Sequence, residues 1–430
     1  MEGSITWVGI DAHKKTLAIA VLGPEGPPDQ FTIANTESDV RKLARRLARR
    51  SRGAEVRACY EAGTCGYTLQ RRLEAAGVVC EVIAPSLIPR KPGERIKTDR
   101  RDALKLAELL RAGVLTAVSA PTLEQEAIRD LCRCREDVRT DLARCRHRLV
   151  KMLVRRGLVF NSSSRLWSEA HRRWLQGLVF ENEVDRVVVA EYRLAIEQAE
   201  RRLAAMDKQI AQAAQLPLYR DHVAWLRCFR GIDTTIAMIF VAELHGIDRF
   251  ASPRALAAYL GLVPTLYSSG DSAHRGKITK TGNGNIRRAL VQACWQYRHL
   301  ASVGPKLRAR REGQPERVLT IADEAQRRLT GRYRRLIARG KTPNKVVIAI
   351  ARELVGFLWA ALRDDRADAA TTRDDRAPAR DGARSSTQTA GVKASAVPRS
   401  GPRLRKVSPS STSRTAVGQR CQARKEKRAS

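Results

Sequence analysis

Four acidic residues in the first part of the chain are spaced so that their carboxylates could share metal ions. Asp11 ends the first predicted strand, Glu61 ends the fourth, and Asp99 and Asp102 lie three residues apart at the start of a predicted helix. Residues three apart on a helix point the same way, and acidic side chains suit the positive end of the helix dipole. If the first and fourth strands are neighbours, Asp11 and Glu61 leave the sheet at the same edge. Such oxygen ligands bind Mg²⁺, often as two ions that clamp an in-line phosphoryl displacement.

A second stretch with possible chemistry surrounds Ser269. Serine and glycine residues over 268–272 predict a flexible loop, whose hydroxyls and amides can hold a phosphate. Alternatively, a serine there is a nucleophile, since attack on phosphorus needs neighbouring cations to stabilise the developing charge. The residues alone leave both roles open. The candidate nucleic-acid contacts are His274, Arg275, Lys277, Lys280, Arg287 and Arg288.

The four acids must be positioned by strands and helices, which the sequence predicts in alternation. Runs rich in β-forming residues predict strands over 5–11, 16–22, 31–34, 55–60 and 78–84, and apolar residues at helical spacing predict helices over 40–47, 67–76 and 102–112. Three leading strands followed by helix–strand alternation are typical of a mixed sheet with helices packed on it. We therefore expect an α/β domain over residues 1–120.

The remainder of the chain has mainly helical patterns. Apolar residues repeat every three or four positions over 128–152 and again over 189–210, which favours an antiparallel coiled-coil hairpin over 121–215. A helix pair in a compact bundle is the alternative. We expect a mainly helical domain over 216–362, in which residues 229–235 resemble the turn of a helix-hairpin-helix unit whose amides can meet a phosphate. Large apolar residues are scarce beyond this point, which predicts a disordered basic tail over 363–430.

The composition indicates the partner and the compartment. Lys and Arg number 80 against 45 Asp and Glu, and the net charge of +35 predicts that nucleic acid is the main partner. Nine cysteines without framework spacing indicate reduced thiols in the cytoplasm, and we expect no signal peptide. The apolar run 346–362 is interrupted by Arg352 and Glu353, so it predicts a buried helix and no membrane span.

Two other chemistries are disfavoured by spacing. Cys132, Cys134, Cys145 and His147 fall on one predicted helix, where residues two apart point in different directions and cannot complete a zinc tetrahedron. Gly340-Lys341-Thr342 resembles the end of a P-loop, but the motif needs a glycine where this chain has Arg335. We therefore expect neither zinc nor ATP.

Both candidate sites lie in motifs that resemble one family, the DEDD transposases of bacterial insertion sequences (IS-one-ten class). The N-terminal motifs are Gly9-Ile10-Asp11, Tyr60-Glu61-Ala62-Gly63 and Lys97-Thr98-Asp99-Arg100-Arg101-Asp102-Ala103. The C-terminal motif runs from Leu260-Gly261-Leu262-Val263-Pro264 through Ser269-Gly270 to Ile278-Thr279-Lys280-Thr281-Gly282-Asn283. The resemblance covers roughly residues 4 to 360.

The resemblance implies a fold and a chemistry. It implies a RuvC-like N-terminal domain with an RNase H fold, in which Asp11, Glu61, Asp99 and Asp102 bind Mg²⁺. It also implies that Ser269, with Ser268 and Ser272 close by, attacks DNA to form a covalent phosphoserine link. In the family, the two sites are completed between subunits of a homo-oligomer, here a dimer or a tetramer. The resemblance also implies a noncoding bridge RNA from the element, which guides the enzyme by bridging target and donor DNA.

The favoured hypothesis is a transposase that acts as a site-specific recombinase on double-stranded DNA in the bacterial cytoplasm, associated with the nucleoid. One alternative is a RuvC-like junction nuclease that hydrolyses DNA with metal-activated water, with Ser269 holding a phosphate. A second alternative is a noncatalytic protein that binds RNA or DNA. A covalent protein–DNA adduct distinguishes the first hypothesis from both alternatives.

Overall fold

The N-terminal part of the protein is built on a five-stranded sheet. In the computed structural model, the strands are β1 (Thr6–Ala12), β2 (Thr16–Leu22), β3 (Asp29–Ala34), β4 (Val56–Glu61) and β5 (Val79–Ile83). Their order is β3-β2-β1-β4-β5, with the first three strands antiparallel and β4 parallel to both β1 and β5. The structure describes residues 5–51, 53–89, 98–269 and 272–363, and within 267–275 it describes no side chains.

Helices cover both faces of this sheet. Alternate residues of β1 point to opposite faces, and Val8 and Ile10 pack against α1 (Glu37–Ser51) and α2 (Thr68–Ala75). On the other face, α3 (Asp99–Arg111) packs against β1 and β2. The predicted mixed sheet with packed helices is thus confirmed. A short 3₁₀ helix, Pro85–Leu87, follows β5.

The parallel pairing of β1 with β4 decides where two of the acids emerge. Ile10 lies opposite Tyr60 in this pairing, so the next residues, Asp11 and Glu61, leave the sheet at the same edge. The first and fourth strands are therefore neighbours, which was the condition for Asp11 and Glu61 to share an edge. Because α3 begins at Asp99, its first turn is the third element that can bring carboxylates to this edge.

Two long helices form the middle of the chain. They are α4 (Leu123–Arg155) and α6 (Glu183–Ala213), with the short α5 (Glu169–Gln176) between them. Arg135 pairs with Asp207, Arg146 with Glu200 and Arg156 with Asp185, so the two helices run antiparallel. Their shared apolar face includes Leu142, Leu149, Val189 and Ile196.

The C-terminal part is mainly helical, as predicted. Its helices surround one large apolar core, in which Phe229, Phe240 and Tyr297 are fully buried. Among the described residues, no helix is long and apolar enough to cross a membrane. The elements are α7 (Arg220–Arg227), α8 (Thr234–Leu244), α9 (Pro253–Tyr259), β6 (Pro264–Ser269), β7 (Ser272–Ile278), α10 (Gly284–Cys294), a 3₁₀ helix (Trp295–Arg298), α11 (Pro305–Arg311), α12 (Glu316–Ala338) and α13 (Pro343–Leu362). Helix α13 contains the apolar run 346–362 and is buried along one side.

One local prediction is wrong. The stretch around Ser269 was predicted to be a flexible loop, but β6 and β7 form an antiparallel hairpin in which Ser269 pairs with Ser272. The serines and glycines hid a strand pattern, since Thr265, Tyr267 and Ile278 are β-branched or aromatic residues that favour strands. The predicted tail over 363–430 lies, beyond Arg363, outside the described residues.

The packing of α3 on β1 leaves no room for a side chain at Gly9. A Cβ atom there would lie 2.0 Å from the carbonyl oxygen of Ala103 and 2.4 Å from the amide nitrogen of Ala107. Both atoms belong to the backbone of α3, so a side chain at Gly9 can be accommodated only if the helix moves away. Gly9 therefore fixes the distance between the strand that carries Asp11 and the helix that carries Asp99.

We predict that Gly9→Ala destabilises the protein by about 3 kcal/mol, because overpacking against a helix backbone forces that helix to shift. Chemical denaturation followed by circular dichroism measures the change. Gly23→Ala is the matched control, since a Cβ there meets nothing closer than 3.4 Å. The control should change stability by less than about 1 kcal/mol. Equal effects of the two substitutions would refute the role assigned to Gly9.

Candidate active site

Three side chains converge where β1 ends and α3 begins. The Nε2 atom of His13 lies 3.3 Å from an oxygen of Asp11 and 3.5 Å from an oxygen of Asp99. One potential ligand atom from each of the three lies within 4.8 Å of the others. Asp11 is largely covered, with 21% of its side chain exposed, whereas Asp99 is 63% exposed. The cluster is therefore closed on the side of the sheet and open to solvent on the side of the helix.

Local hydrogen bonds hold His13 and the start of α3. The amide of His13 donates to the carbonyl of Thr16, and Asn35 donates its side-chain amide to the carbonyl of His13. At the other end of the cluster, Thr98 caps α3 by accepting a hydrogen bond from the amide of Arg101. The cap sets the start of the helix at Asp99, and the positive end of the helix dipole favours the carboxylates there.

The electrostatics of the cluster favour a bound cation. Partial burial raises the pKa of Asp11 above its usual value, and this effect outweighs the opposing effect of His13. The neighbouring negative charges of Asp99 and Asp102 raise the pKa of Asp11 further. A cation would relieve both the desolvation and the repulsion, since it stabilises the ionised form of every carboxylate around it.

The other two predicted acids lie close by but outside this trio. Asp102 is one helical turn after Asp99 and is near enough to Asp11 to raise its pKa. Glu61 is exposed at the end of β4, on the strand next to β1. Among the described residues, the group close enough to share one ion consists of Asp11, His13 and Asp99. A role for Glu61 and Asp102 as metal ligands stays a prediction.

The sequence analysis missed His13. This residue lies between the predicted strands 5–11 and 16–22, and no function was assigned to it. The available signal was its spacing, because residues two apart near the end of a strand point to the same face and His13 follows Asp11 by two. His13 adds a possible nitrogen ligand to a metal site that was predicted to contain only oxygen ligands.

The possible ligand atoms at this site fit a divalent cation. Two carboxylates supply the hard oxygen atoms that Mg²⁺ prefers, and Asp102 and Glu61 lie on the adjoining turn and strand. An imidazole nitrogen beside carboxylates is also compatible with first-row transition metals. Asp11 lies in β1 and Asp99 begins α3. The distances within the trio therefore depend on the packing of α3 against β1.

The second predicted site lies on the β6–β7 hairpin. Ser269 is the last residue of β6, and residues 270–271 between it and β7 lie outside the described residues. The side chains of Ser269, His274 and Arg275 are likewise not described, so their roles stay predictions. Lys277 and Lys280, which follow on β7 and after it, are exposed.

The predicted nucleic-acid contacts Arg287 and Arg288 are engaged within the protein. Arg287 donates hydrogen bonds to the carbonyls of Leu260 (2.8 Å) and Thr281 (3.2 Å), and so joins the two backbone segments that flank the hairpin. Arg288 forms an ion pair with Glu136 of α4 at 3.1 Å. Contacts of these two residues with nucleic acid stay predictions, and the structure adds a scaffolding role for Arg287.

The turn that resembled a helix-hairpin-helix unit lies between α7 and α8. Asp233 caps α8, because its carboxylate accepts a hydrogen bond from the amide of Ile236 at 2.8 Å. That amide is therefore already occupied, and the carboxylate adds negative charge at the place where a phosphate was expected. Binding of a phosphate at this turn stays a prediction.

Comparison with known proteins identifies the family of the chain. Residues 8–156 match a model of DEDD transposases of the IS110 type, and residues 224–310 match the model described as "Transposase IS116/IS110/IS902 family". The "Putative transposase y4qE" of Sinorhizobium fredii is 39% identical over 363 residues, which are 84% of this chain and 89% of that protein. The chain belongs to the IS110 family of transposases.

The matched regions of this transposase contain its candidate residues. The first match contains Asp11, Glu61, Asp99 and Asp102, and the second contains Ser269. A further relative, the "Transposase for insertion sequence element IS1533" of Leptospira borgpetersenii, is 34% identical over 334 residues, which are 77% of this chain and 96% of that protein. The family resemblance predicted from the motifs is thus confirmed.

We predict that Arg287→Met lowers the free energy of unfolding by about 1–3 kcal/mol, because two backbone carbonyls lose their donor. Urea denaturation measures the loss. Arg288→Met is the neighbouring control, since its ion pair is half-exposed and should contribute less than about 1 kcal/mol. An Arg287→Met protein of unchanged stability that binds DNA more weakly would assign Arg287 to the nucleic-acid interface instead.

Proposed function

We propose that this transposase cuts and rejoins double-stranded DNA by phosphoryl transfer, with the acids at the edge of the sheet holding Mg²⁺ and Ser269 acting as the nucleophile. The observation that carries the proposal is the convergence of Asp11, His13 and Asp99 at that edge. Carboxylates brought this close repel one another, and a cation bound between them would relieve that repulsion. Membership of a transposase family supports the same chemistry.

In this proposal two of the acidic residues bind the cation directly, and the other two surround it. Asp11 and Asp99 hold the cation, and Asp102 and Glu61 complete its surroundings from the next helical turn and the adjacent strand. When bound, Mg²⁺ supplies positive charge that stabilises the developing negative charge on phosphate oxygens. Asp11 and Asp99 are held by a strand and a capped helix, so they need little reorganisation to meet a substrate.

The serine step conserves the energy of the phosphodiester bond. The Ser269 hydroxyl oxygen forms a bond to phosphorus as the bond from phosphorus to one DNA oxygen breaks. The serine hydroxyl gives up its proton, and the departing DNA oxygen takes up a proton. The product is a serine–DNA phosphodiester, which a DNA hydroxyl can attack in the reverse sense to rejoin strands. No ATP is needed, because the number of phosphodiester bonds is unchanged.

The partners follow from the same proposal. Exposed cations near the hairpin, such as Lys277 and Lys280, suit the phosphates of DNA. A noncoding bridge RNA as guide, and a dimer or tetramer in which the sites are completed between subunits, are proposed from the family resemblance. The large positive charge agrees with a protein that binds two kinds of nucleic acid at once.

The acid cluster also supports a second candidate function. Asp11, His13 and Asp99 come from one chain and form their cluster without any contribution from the hairpin. A metal ion held at such a site would activate water for hydrolysis of DNA, as in a RuvC-like junction nuclease. In that case Ser269 holds a phosphate and forms no bond to it.

A denaturing gel separates the two mechanisms. The protein is incubated with Mg²⁺, the junction DNA of its element and the flanking transcript, and then run beside Ser269→Ala, Ser268→Ala and Asp11→Ala proteins. We predict a covalent protein–DNA adduct that persists in Ser268→Ala and is lost in the other two variants and in EDTA. Cleaved DNA without an adduct, lost in Asp11→Ala but retained in Ser269→Ala, would establish the nuclease and refute the serine mechanism.

A further inference from the structure

A buried carboxylate on α8 joins the long helix α4 to the segment that follows the hairpin. The side chain of Glu243 is 2% exposed. Arg133 of α4 donates to both of its oxygens, at 2.8 and 2.9 Å. Asn283 donates to one oxygen at 2.7 Å and Asn285 donates to the other at 2.8 Å. Each oxygen of Glu243 therefore accepts one hydrogen bond from Arg133 and one from an asparagine.

Burial of the Glu243 carboxylate carries a free-energy cost that its hydrogen-bond partners must offset. Burial of an ionised carboxylate is costly unless charged and neutral donors replace the lost water. Burial alone would raise the pKa of Glu243, but the hydrogen bonds from Arg133, Asn283 and Asn285 outweigh it and hold the pKa below its usual value. The carboxylate thus stays ionised, and the loss of any of these partners would leave a buried group unsatisfied.

The two asparagines fix the beginning of α10. The side-chain oxygen of Asn283 accepts hydrogen bonds from the amides of Asn285 and Ile286, which caps the helix. Its side-chain nitrogen donates to Glu243, so both ends of this amide are used. The helix start is therefore anchored to α8 through one buried carboxylate.

The segment between β7 and α10 is fastened on its other side as well. The amide of Thr279 donates to the carbonyl of Val263, and the amide of Lys280 donates to the carbonyl of Gly261. Gly282 has a φ of +70° and lies so close to Tyr259 that a Cβ would come within 1.8 Å of its carbonyl oxygen. This segment has little conformational freedom. Its contacts therefore set the direction of β7, the strand that leads into it.

The helix that supplies Arg133 also contacts the N-terminal domain. One and two turns earlier on α4, Arg129 lies over the ring of Tyr67 and Glu126 pairs with Arg71 of α2 at 2.6 Å. The same stretch of α4 therefore contacts α2 in the N-terminal part and, through Arg133, Glu243 in the C-terminal part. Sequence analysis assigned no role to Glu243, because a lone acid in an apolar helix carries no spacing signal.

We propose that Glu243 is a positioning residue for strand transfer: it locks the segment 279–285 against α4 and so fixes the hairpin that carries Ser269. The inference rests on the proposed function for its effect on the reaction, but the locking itself does not depend on it. Glu243 does not contact the reacting atoms in this role. It acts through Asn283 and Asn285.

Glu243→Gln tests the positioning role with two readouts. Hydrogen exchange at the amides of Thr279 and Lys280 should accelerate by about 10-fold or more, because opening of the segment becomes easier. Single-turnover formation of the covalent adduct should slow by about 100-fold, as expected for a nucleophile misplaced by about 1 Å. The affinity for junction DNA should change by less than about 2-fold, since no DNA contact is removed.

Two further variants make the test specific. Arg133→Gln removes both charge-assisted hydrogen bonds to the Glu243 carboxylate and should change both readouts in the same direction. Glu200→Gln is the control, because Glu200 likewise accepts hydrogen bonds from arginine, here Arg146 and Arg172, but beside the α4–α6 pair. It should leave exchange at Thr279 and Lys280 and adduct formation unchanged.

The outcomes separate this inference from the proposed function. Unchanged exchange at Thr279 and Lys280 in Glu243→Gln, or equal effects of Glu200→Gln, would overturn the positioning role. So would a loss of DNA affinity that accounts for the whole change in rate. If Ser269→Ala still forms the adduct, the proposed function fails, while the exchange measurement, which needs no DNA, still decides whether Glu243 holds the segment.

Discussion

The close contact between β1 and α3 determines the geometry of the acid cluster. At Gly9 the backbone of the strand approaches the backbone of the helix with no side chain between them. Asp11 lies two residues further along this strand, and Asp99 is the first residue of this helix. Their separation is therefore set by main-chain packing and depends little on flexible side chains. A larger residue at position 9 would move one ligand away from the other.

Arginine has two distinct uses in this transposase. Arg135 and Arg146 pair with acids across the α4–α6 interface, and Arg133 satisfies the buried Glu243. Arg287 bonds to backbone carbonyls around the hairpin. These guanidinium groups hold helices and turns together, because a planar group with five donors can satisfy several acceptors at once. The total of 80 Lys and Arg consequently overstates the number of cations that are free to contact phosphates.

The fold class could be predicted from the sequence, whereas parts of the site could not. Strand and helix periodicities are local, and they indicated the mixed sheet. The emergence of Asp11 and Glu61 at one edge depended on the pairing of the first strand with the fourth, which the structure provides. The hairpin at Ser269 was missed because serine and glycine obscured its strand pattern. His13 was missed although its spacing from Asp11 was a local signal. Glu243 was missed because its partners, Arg133 and Asn283, are distant in sequence. Such contacts depend on tertiary packing, which a spacing pattern in one element does not contain.

The identity of the residue joined to DNA is the most direct measure of the proposed mechanism. After digestion of the adduct with nuclease and trypsin, cleavage at Arg254 and Arg275 releases residues 255–275 as one peptide. Mass spectrometry with fragmentation can then place the nucleotide remnant within this peptide. We expect the remnant on Ser269. A remnant on Tyr267, or cleaved DNA with no attached peptide, would contradict the serine mechanism.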